Sequence, residues 1–198
     1  MNTPDHRPTI YQLVYELHKQ PLGRRTLVAR TGITEMTVRT HLNKLRASGL
    51  VTMAKGGTVL TAHGRKTFAQ LLERVLYVGE LQLRDLALDR HNEAVWIRGA
   101  GGAFQESWRY RDAAVREGAT GALLLIHGPR GWRLSDDVKP LATQNPQDAE
   151  HLQRMLPALP GDGAIIAFGP TRAAACRGLW SVLVDLFPIK TRKESKKS

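Results

Sequence analysis

Residues 23–64, GRRTLVARTGITEMTVRTHLNKLRASGLVTMAKGGTVLTAHG, decide the fold, because their apolar spacing and glycine placement specify two helices followed by a hairpin. In the second helix Val38, Leu42 and Leu45 fall at i, i+4 and i+7, the spacing of one buried face, and Thr34 stands where an N-cap hydroxyl is wanted. Leu27, Val28 and Ile33 carry the apolar pattern through the shorter helix before it, and Gly32 permits the turn between the two. Gly49 ends the second helix as a left-handed cap. Residues 50–53 and 58–61 then read as short strands around Lys55, Gly56 and Gly57, a hairpin whose glycines supply positive φ.

Upstream, Ile10, Leu13, Val14 and Leu17 mark one face of a helix bounded by Pro8 and Pro21. Downstream, Phe68, Leu71, Leu72 and Val75 mark another, so the order is three helices, a hairpin and a fourth helix. The pattern turns strand-like at residues 77–79, which places a domain boundary there: residues 1–76 form the N-terminal domain and 77–187 a small α/β domain. In that second part the sequence predicts strands at 93–98, 121–126, 132–134 and 164–168, helices at 105–117 and 148–156, and a flexible loop at Gly99, Gly101 and Gly102. A last helix over 173–187 spreads its apolar residues over an arc of roughly 200°, wider than a surface helix needs, and so requires partners on two sides. Residues 188–198 read as a basic, disordered tail.

Charge is distributed unevenly. Residues 1–76 hold 12 Lys or Arg against 4 Asp or Glu, residues 77–187 hold 12 against 13, and the tail holds 5 against 1. A net +8 confined to the first domain is the electrostatic footprint of a polyanion partner, whereas the second domain is close to neutral. The single cysteine, Cys176, cannot form an internal disulfide and sits among alanines as a small core residue. The first residues lack the apolar core of a secretory signal, and the longest apolar run, 121–126, is too short to span a bilayer. The expectation is a soluble, cytoplasmic protein.

With Val38 at the centre of the buried face, Met36, Thr40 and Asn43 lie nearly opposite it, and Thr37, Arg39 and Lys44 lie on the flanks. Those six form the expected reading surface. In a major groove Asn bonds adenine, Arg forks onto guanine, and Thr or Met contacts the thymine methyl. Arg24, Arg25 and Arg30 on the preceding helix, and Lys55 with the amides of Gly56 and Gly57 at the hairpin tip, are placed for phosphate contact. An ordinary solvated cationic helix would account for any one of these features. It does not account for the helix order, the Gly-Gly hairpin and the local charge together.

The stretch LVARTGITEMTVRTHLNKLRASGLV followed by GGTVLTAHGRK resembles the winged helix-turn-helix of prokaryotic transcription regulators. The segments EGATGALLLIHGPRGWRL and GDGAIIAFGPTRAAACRGLWSVLVDLF are similar to the C-terminal domain of a small archaeal winged-helix family of unassigned function. That resemblance extends over nearly the whole chain and implies an α+β architecture: an N-terminal winged helix followed by a compact, DCoH-like α/β domain for dimerisation or effector binding. It supplies no catalytic residue.

The second domain offers little chemistry of its own. Its glycines fit neither a dinucleotide fingerprint nor a P-loop. His127, Trp132 and Arg133 flank a hairpin and are candidates for lining an effector pocket, against the default of a turn histidine and a core tryptophan. His41, His63, His91 and His151 show no metal-ligand spacing, and no nucleophile, base and acid set stands out. The sequence therefore predicts a homodimeric regulator that binds double-stranded DNA, without cofactor, metal or catalysis, and with a small-molecule effector as an open possibility. The alternatives are an RNA- or ribosome-associated protein, disfavoured by the lack of an aromatic stacking platform, and an enzyme with a fused regulatory winged helix.

Overall fold

A computed structural model describes residues 5–189, which divide into two compact units: residues 5–72 with 183–189, and residues 73–182. The tail reading at 190–198 lies outside the described residues.

The first unit begins with α1 (Arg7–Lys19), α2 (Arg24–Thr31) and α3 (Glu35–Ala47). Gly32 and Gly49, both at φ 68°, end α2 and α3 in the left-handed conformation expected of them. The Thr34 hydroxyl accepts from the Thr37 amide at 3.4 Å and starts α3. Leu27 and Val38 are fully buried, with Leu42 and Leu45 beside them. The hairpin of β1 (Val51–Ala54) and β2 (Gly57–Leu60) pairs antiparallel, Val51 opposite Leu60. The chain just before α2 joins it: the Leu22 amide donates to Thr58 O at 3.1 Å and the Thr58 amide to Leu22 O at 2.9 Å.

The expected fourth helix is broken in two, α4 (Ala62–Thr67) and α5 (Ala69–Arg74). Phe68 sits between them, buried, its ring edge-on to Tyr11 at 5.5 Å. Val75 does not continue the helix but opens a strand, since it pairs with Ile97 while the Arg98 amide donates to Arg74 O at 2.8 Å.

The second unit is built on one sheet in the order β3 (Val75–Gly79), β4 (His91–Ile97), β7 (Gly163–Gly169), β5 (Gly121–Gly128), β6 (Gly131–Leu134). Every pairing is antiparallel, and residues 77–79, strand-like by sequence, belong to the edge strand β3. The mixture of helix and strand agrees with the expected α+β class. β7 is buried at all seven positions, as a central strand covered on both faces should be. Ala94, Leu125, Ile166 and Phe168 face a core completed by Trp132, Leu152 and Leu156. Residues of the opposite parity, Val95, Leu124 and Ile165, are equally buried on the other face.

The remaining helices are α6 (Ser107–Arg116), α7 (Pro146–Met155) and α8 (Arg172–Leu186). α6 starts later than the sequence predicts, because residues Gly101–Glu106 form a 3-10 turn. α6 and α8 meet closely: a methyl on Gly178 would strike Ala119 and crowd Ala114, and the Ser181 hydroxyl donates to Ala113 O at 3.0 Å. The apolar residues of α8 from Ala174 to Val184 are buried around most of its circumference.

The glycine loop is locked rather than flexible. The Gly99 amide donates to the Asp162 carboxylate at 2.8 Å and the Gly101 amide to Gly161 O at 2.9 Å, so neither is free for a phosphate. Asp162, 5% exposed, also accepts from the Trp96 indole at 3.0 Å and the Leu159 amide at 3.0 Å. Burial pushes its carboxyl up, but these three donors outweigh burial and hold it below the ordinary carboxylate value. Because the folded value is the lower one, this stabilisation is complete above the unfolded value of ~3.9 and is lost as pH falls through the folded value. Asp162→Ala, which strands three donors, should cost about 2–3 kcal/mol at neutral pH in urea unfolding. Asp162→Asn should flatten the acid limb of a stability-versus-pH curve; an unchanged limb would refute the assignment.

Candidate nucleic-acid interface

Between α2, α3 and the hairpin lies an open cleft of about 390 Å³. α2 contributes Arg24 at its first position, α3 contributes Arg39, Leu42, Asn43 and Arg46, and the hairpin contributes Met53, Gly57 and Thr58. Arg39, Asn43 and Arg46 are at i, i+4 and i+7, so one stripe of α3 forms the helical wall. Among the described residues none of Arg24, Arg39 and Arg46 is in an ion pair, and three guanidinium groups line a cavity with no carboxylate. Such a site concentrates positive potential where an anionic backbone can enter.

Gly57 sets how closely the hairpin approaches. Its φ is 137°, and a methyl there would collide with the Leu22 carbonyl group and lie 2.7 Å from the Gly23 amide nitrogen. The hairpin therefore presses against the chain that enters α2, and the paired amides of Leu22 and Thr58 hold it there.

The sequence-predicted residues separate into three groups. Arg24, Arg39, Asn43 and Gly57 line the cleft together. Met36, 80% exposed, Thr40 and Lys44 lie on the outer face of α3, while Arg25 on α2 and Lys55 with Gly56 at the hairpin tip are exposed beyond the cleft. Two are already engaged: Thr37 receives the Thr34 hydroxyl at 2.8 Å, and Arg30 pairs with Glu16 on α1 at 3.2 Å. Thr37 thus belongs to the helix cap, and Arg30 gives part of its guanidinium to a carboxylate of α1.

Arg46 and Met53 are cleft residues that sequence reasoning did not select. Arg46 lies about 80° from Val38 around α3, close enough to the apolar stripe to be counted with it, although its spacing from Arg39 and Asn43 was the available signal. Met53 shares strand parity with the buried Val51, yet it is 58% exposed because β1 leaves the core after its first residue. Thr58 steadies its thioether, Oγ1 to Sδ 3.6 Å.

On the core side of α3 His41 is buried with its Nδ1 unpartnered, 5.1 Å from the His6 ring. Burial, with smaller contributions from His6 and Lys44, holds its pKa below the ordinary histidine value.

In the second unit His127 is buried edge-on to Trp132 at 5.0 Å, its Nε2 3.2 Å from Gln153 Oε1. A shallower cleft of about 260 Å³ is lined by Trp132 but not by His127 or Arg133. The Arg133 guanidinium is spent on the carbonyls of Leu134 and Asp137, at 3.1 and 2.8 Å. The three residues do not converge on one pocket. Among the described residues no group of three His, Cys, Asp or Glu could hold a metal ion, and no helix is long and apolar enough to cross a membrane.

Residues 5–75 match the family model described as the CggR N-terminal DNA binding domain. Residues 88–186 match a domain of unknown function, DUF4443. No curated protein matches the chain. Among solved structures it is similar to a hypothetical protein from Pyrococcus horikoshii OT3, with a TM-score of 0.65 and 24% identity over 89% of this chain and 91% of that one. At that identity the likeness is one of fold.

Two outcomes follow from the geometry. Gly57→Ala should destabilise the first unit by about 2–3 kcal/mol, since the colliding atoms are backbone, and thermal melting of the variant checks it. For His41 the folded value is the depressed one, so the first unit should lose stability as pH falls below the unfolded value of ~6.5. His41→Leu should reduce that loss between neutral and mildly acid pH, the remainder coming from His18, which burial also depresses; a His41→Leu variant with the wild-type pH profile would exclude the burial account.

Proposed function

The chain belongs to the DUF4443 family, and on that premise we propose that it is a DNA-binding transcription regulator, a homodimer whose α3 reads one major-groove half-site per subunit. The observation that carries this reading is the cleft in which Arg24, Arg39 and Arg46, free of ion pairs, surround Asn43 beside the hairpin. The match of residues 5–75 to a DNA-binding domain supports the same partner.

In this reading α3 enters a groove ~12 Å wide. Arg39 forks onto guanine, Asn43 bonds adenine, and Met36 with Thr40 meets thymine methyls. Lys44 and Arg25 contact flanking phosphates, and Lys55 with the Gly56 and Gly57 amides grips the backbone from the hairpin. Arg24 and Arg46 stand at the cleft walls, where a phosphate passing between α3 and the hairpin would be held. Two such domains related by a two-fold axis call for a roughly palindromic operator. The protein acts in the cytoplasm, and its second domain serves dimerisation, effector binding or both, with no catalytic step, cofactor or metal.

A labelled-duplex titration over a salt series tests the reading. Affinity should fall steeply with salt, and binding that is absent at low salt or indifferent to salt excludes it. Arg39→Ala should weaken binding to the preferred sequence by about 1–3 kcal/mol while leaving non-specific binding nearly intact. Lys55→Ala should weaken both alike and make the salt slope shallower by about 1. Equal specificity ratios for the two variants would refute the division of roles.

A further inference from the structure

α6 buries one side and leaves the other bare. Ala113 and Ala114 are 5% and 0% exposed and are used against α8, whereas Trp108 is 64% and Val115 49% exposed. The two exposed residues are seven apart, so they lie on the same outward stripe, with Arg111 and Asp112 between them. A lone surface apolar residue is ordinary, but an indole this exposed, aligned with a valine on a regular helix, is a contact surface without its partner.

The order of this stripe identifies the partner. Trp108, Arg111, Asp112 and Val115 are symmetric about the midpoint between Arg111 and Asp112: an apolar residue lies three and a half positions to either side, and the two central charges are opposite. Two copies of such a helix, laid antiparallel, place each Trp108 on the partner's Val115 and each Arg111 beside the partner's Asp112. An isologous contact needs this self-complementarity, and a different protein would have no reason to match it. Arg111 is already oriented by its 2.9 Å ion pair with Asp136, and its guanidinium has donors left for a second carboxylate.

We propose that α6 is the homodimer contact, packing against α6 of a second copy across a two-fold axis that passes between Arg111 and Asp112. The proposal rests on the homodimer in the function argued above and assigns its surface. The two indoles have about 300 Å² left to bury, roughly a fifth of the ~1,600 Å² of a standard interface. The flanks of the helix must supply the rest, so the dimer is of moderate strength, tightened when both subunits sit on one duplex.

The test is light scattering on the full chain without DNA, across a wide range of concentration. The wild type should reach twice the 22.0 kDa chain mass, and Trp108→Glu and Val115→Glu should each return it to one chain with unchanged melting temperature. Asp112→Cys, next to the axis, should form a disulfide-linked dimer on mild oxidation, while Glu150→Cys on α7 should not. The native Cys176 does not interfere, being buried with its thiol pushed up to about 12. A wild-type dimer that survives both glutamate variants and gives no Asp112→Cys cross-link overturns this surface and leaves the DNA-binding reading standing. A chain that stays monomeric at every concentration also overturns it, and retained duplex binding would then separate that failure from failure of the DNA-binding reading.

Discussion

The reciprocal backbone pair between Leu22 and Thr58 is the contact on which the candidate interface depends. It joins the chain entering α2 to the hairpin that follows α3, and so closes a ring of elements around the cleft. Two hydrogen bonds of this kind contribute about 1 kcal/mol each. Their larger effect is geometric: they fix the separation of Arg24 from Met53 and Thr58. Gly57 makes the pairing possible, because any side chain there would push the strands apart.

The second unit achieves rigidity differently. A central strand with every residue buried cannot shift register without turning its whole apolar set, and the adjoining loops are tied by buried side chains that act as substitute backbone. Asn92 exchanges two hydrogen bonds with Leu81, both 2.9 Å, and Asp148 accepts from the amides of Arg84 and Leu86 at 2.9 and 2.8 Å. Asp162 does the same for the turn after β4. A domain held this way is suited to present one fixed helix face, such as that of α6, to a symmetric neighbour.

Much of the first unit was legible because its signals are local. Thr34, Gly32, Gly49 and the Val38, Leu42, Leu45 stripe act within a few residues of themselves, and each is where the spacing put it. The break at Phe68 was not legible, since it depends on Tyr11, far away in sequence, receiving that ring. For the same reason Val75 read as the end of a helix and residues 77–79 only as a strand-like boundary: their partners in β4 are long-range. Arg46 and Met53 were missed where helical angle or strand parity suggested the core and the limits of a small domain decided otherwise. In the second unit four of the five strands were found, but their antiparallel order could not be read from residues that are apolar on both faces.

The first unit also draws on the far end of the described chain. The Tyr11 hydroxyl donates to Phe187 O at 2.5 Å, across 176 residues, and burial pushes its phenol up to about 12. During synthesis on the ribosome, α1 to α3 therefore emerge long before the segment that completes their surroundings. The first unit cannot reach its final form until the whole second domain has been made. A chain interrupted anywhere in that domain carries an α3 whose supporting helix α1 lacks its last partner, which ties completion of the first unit to completion of the second.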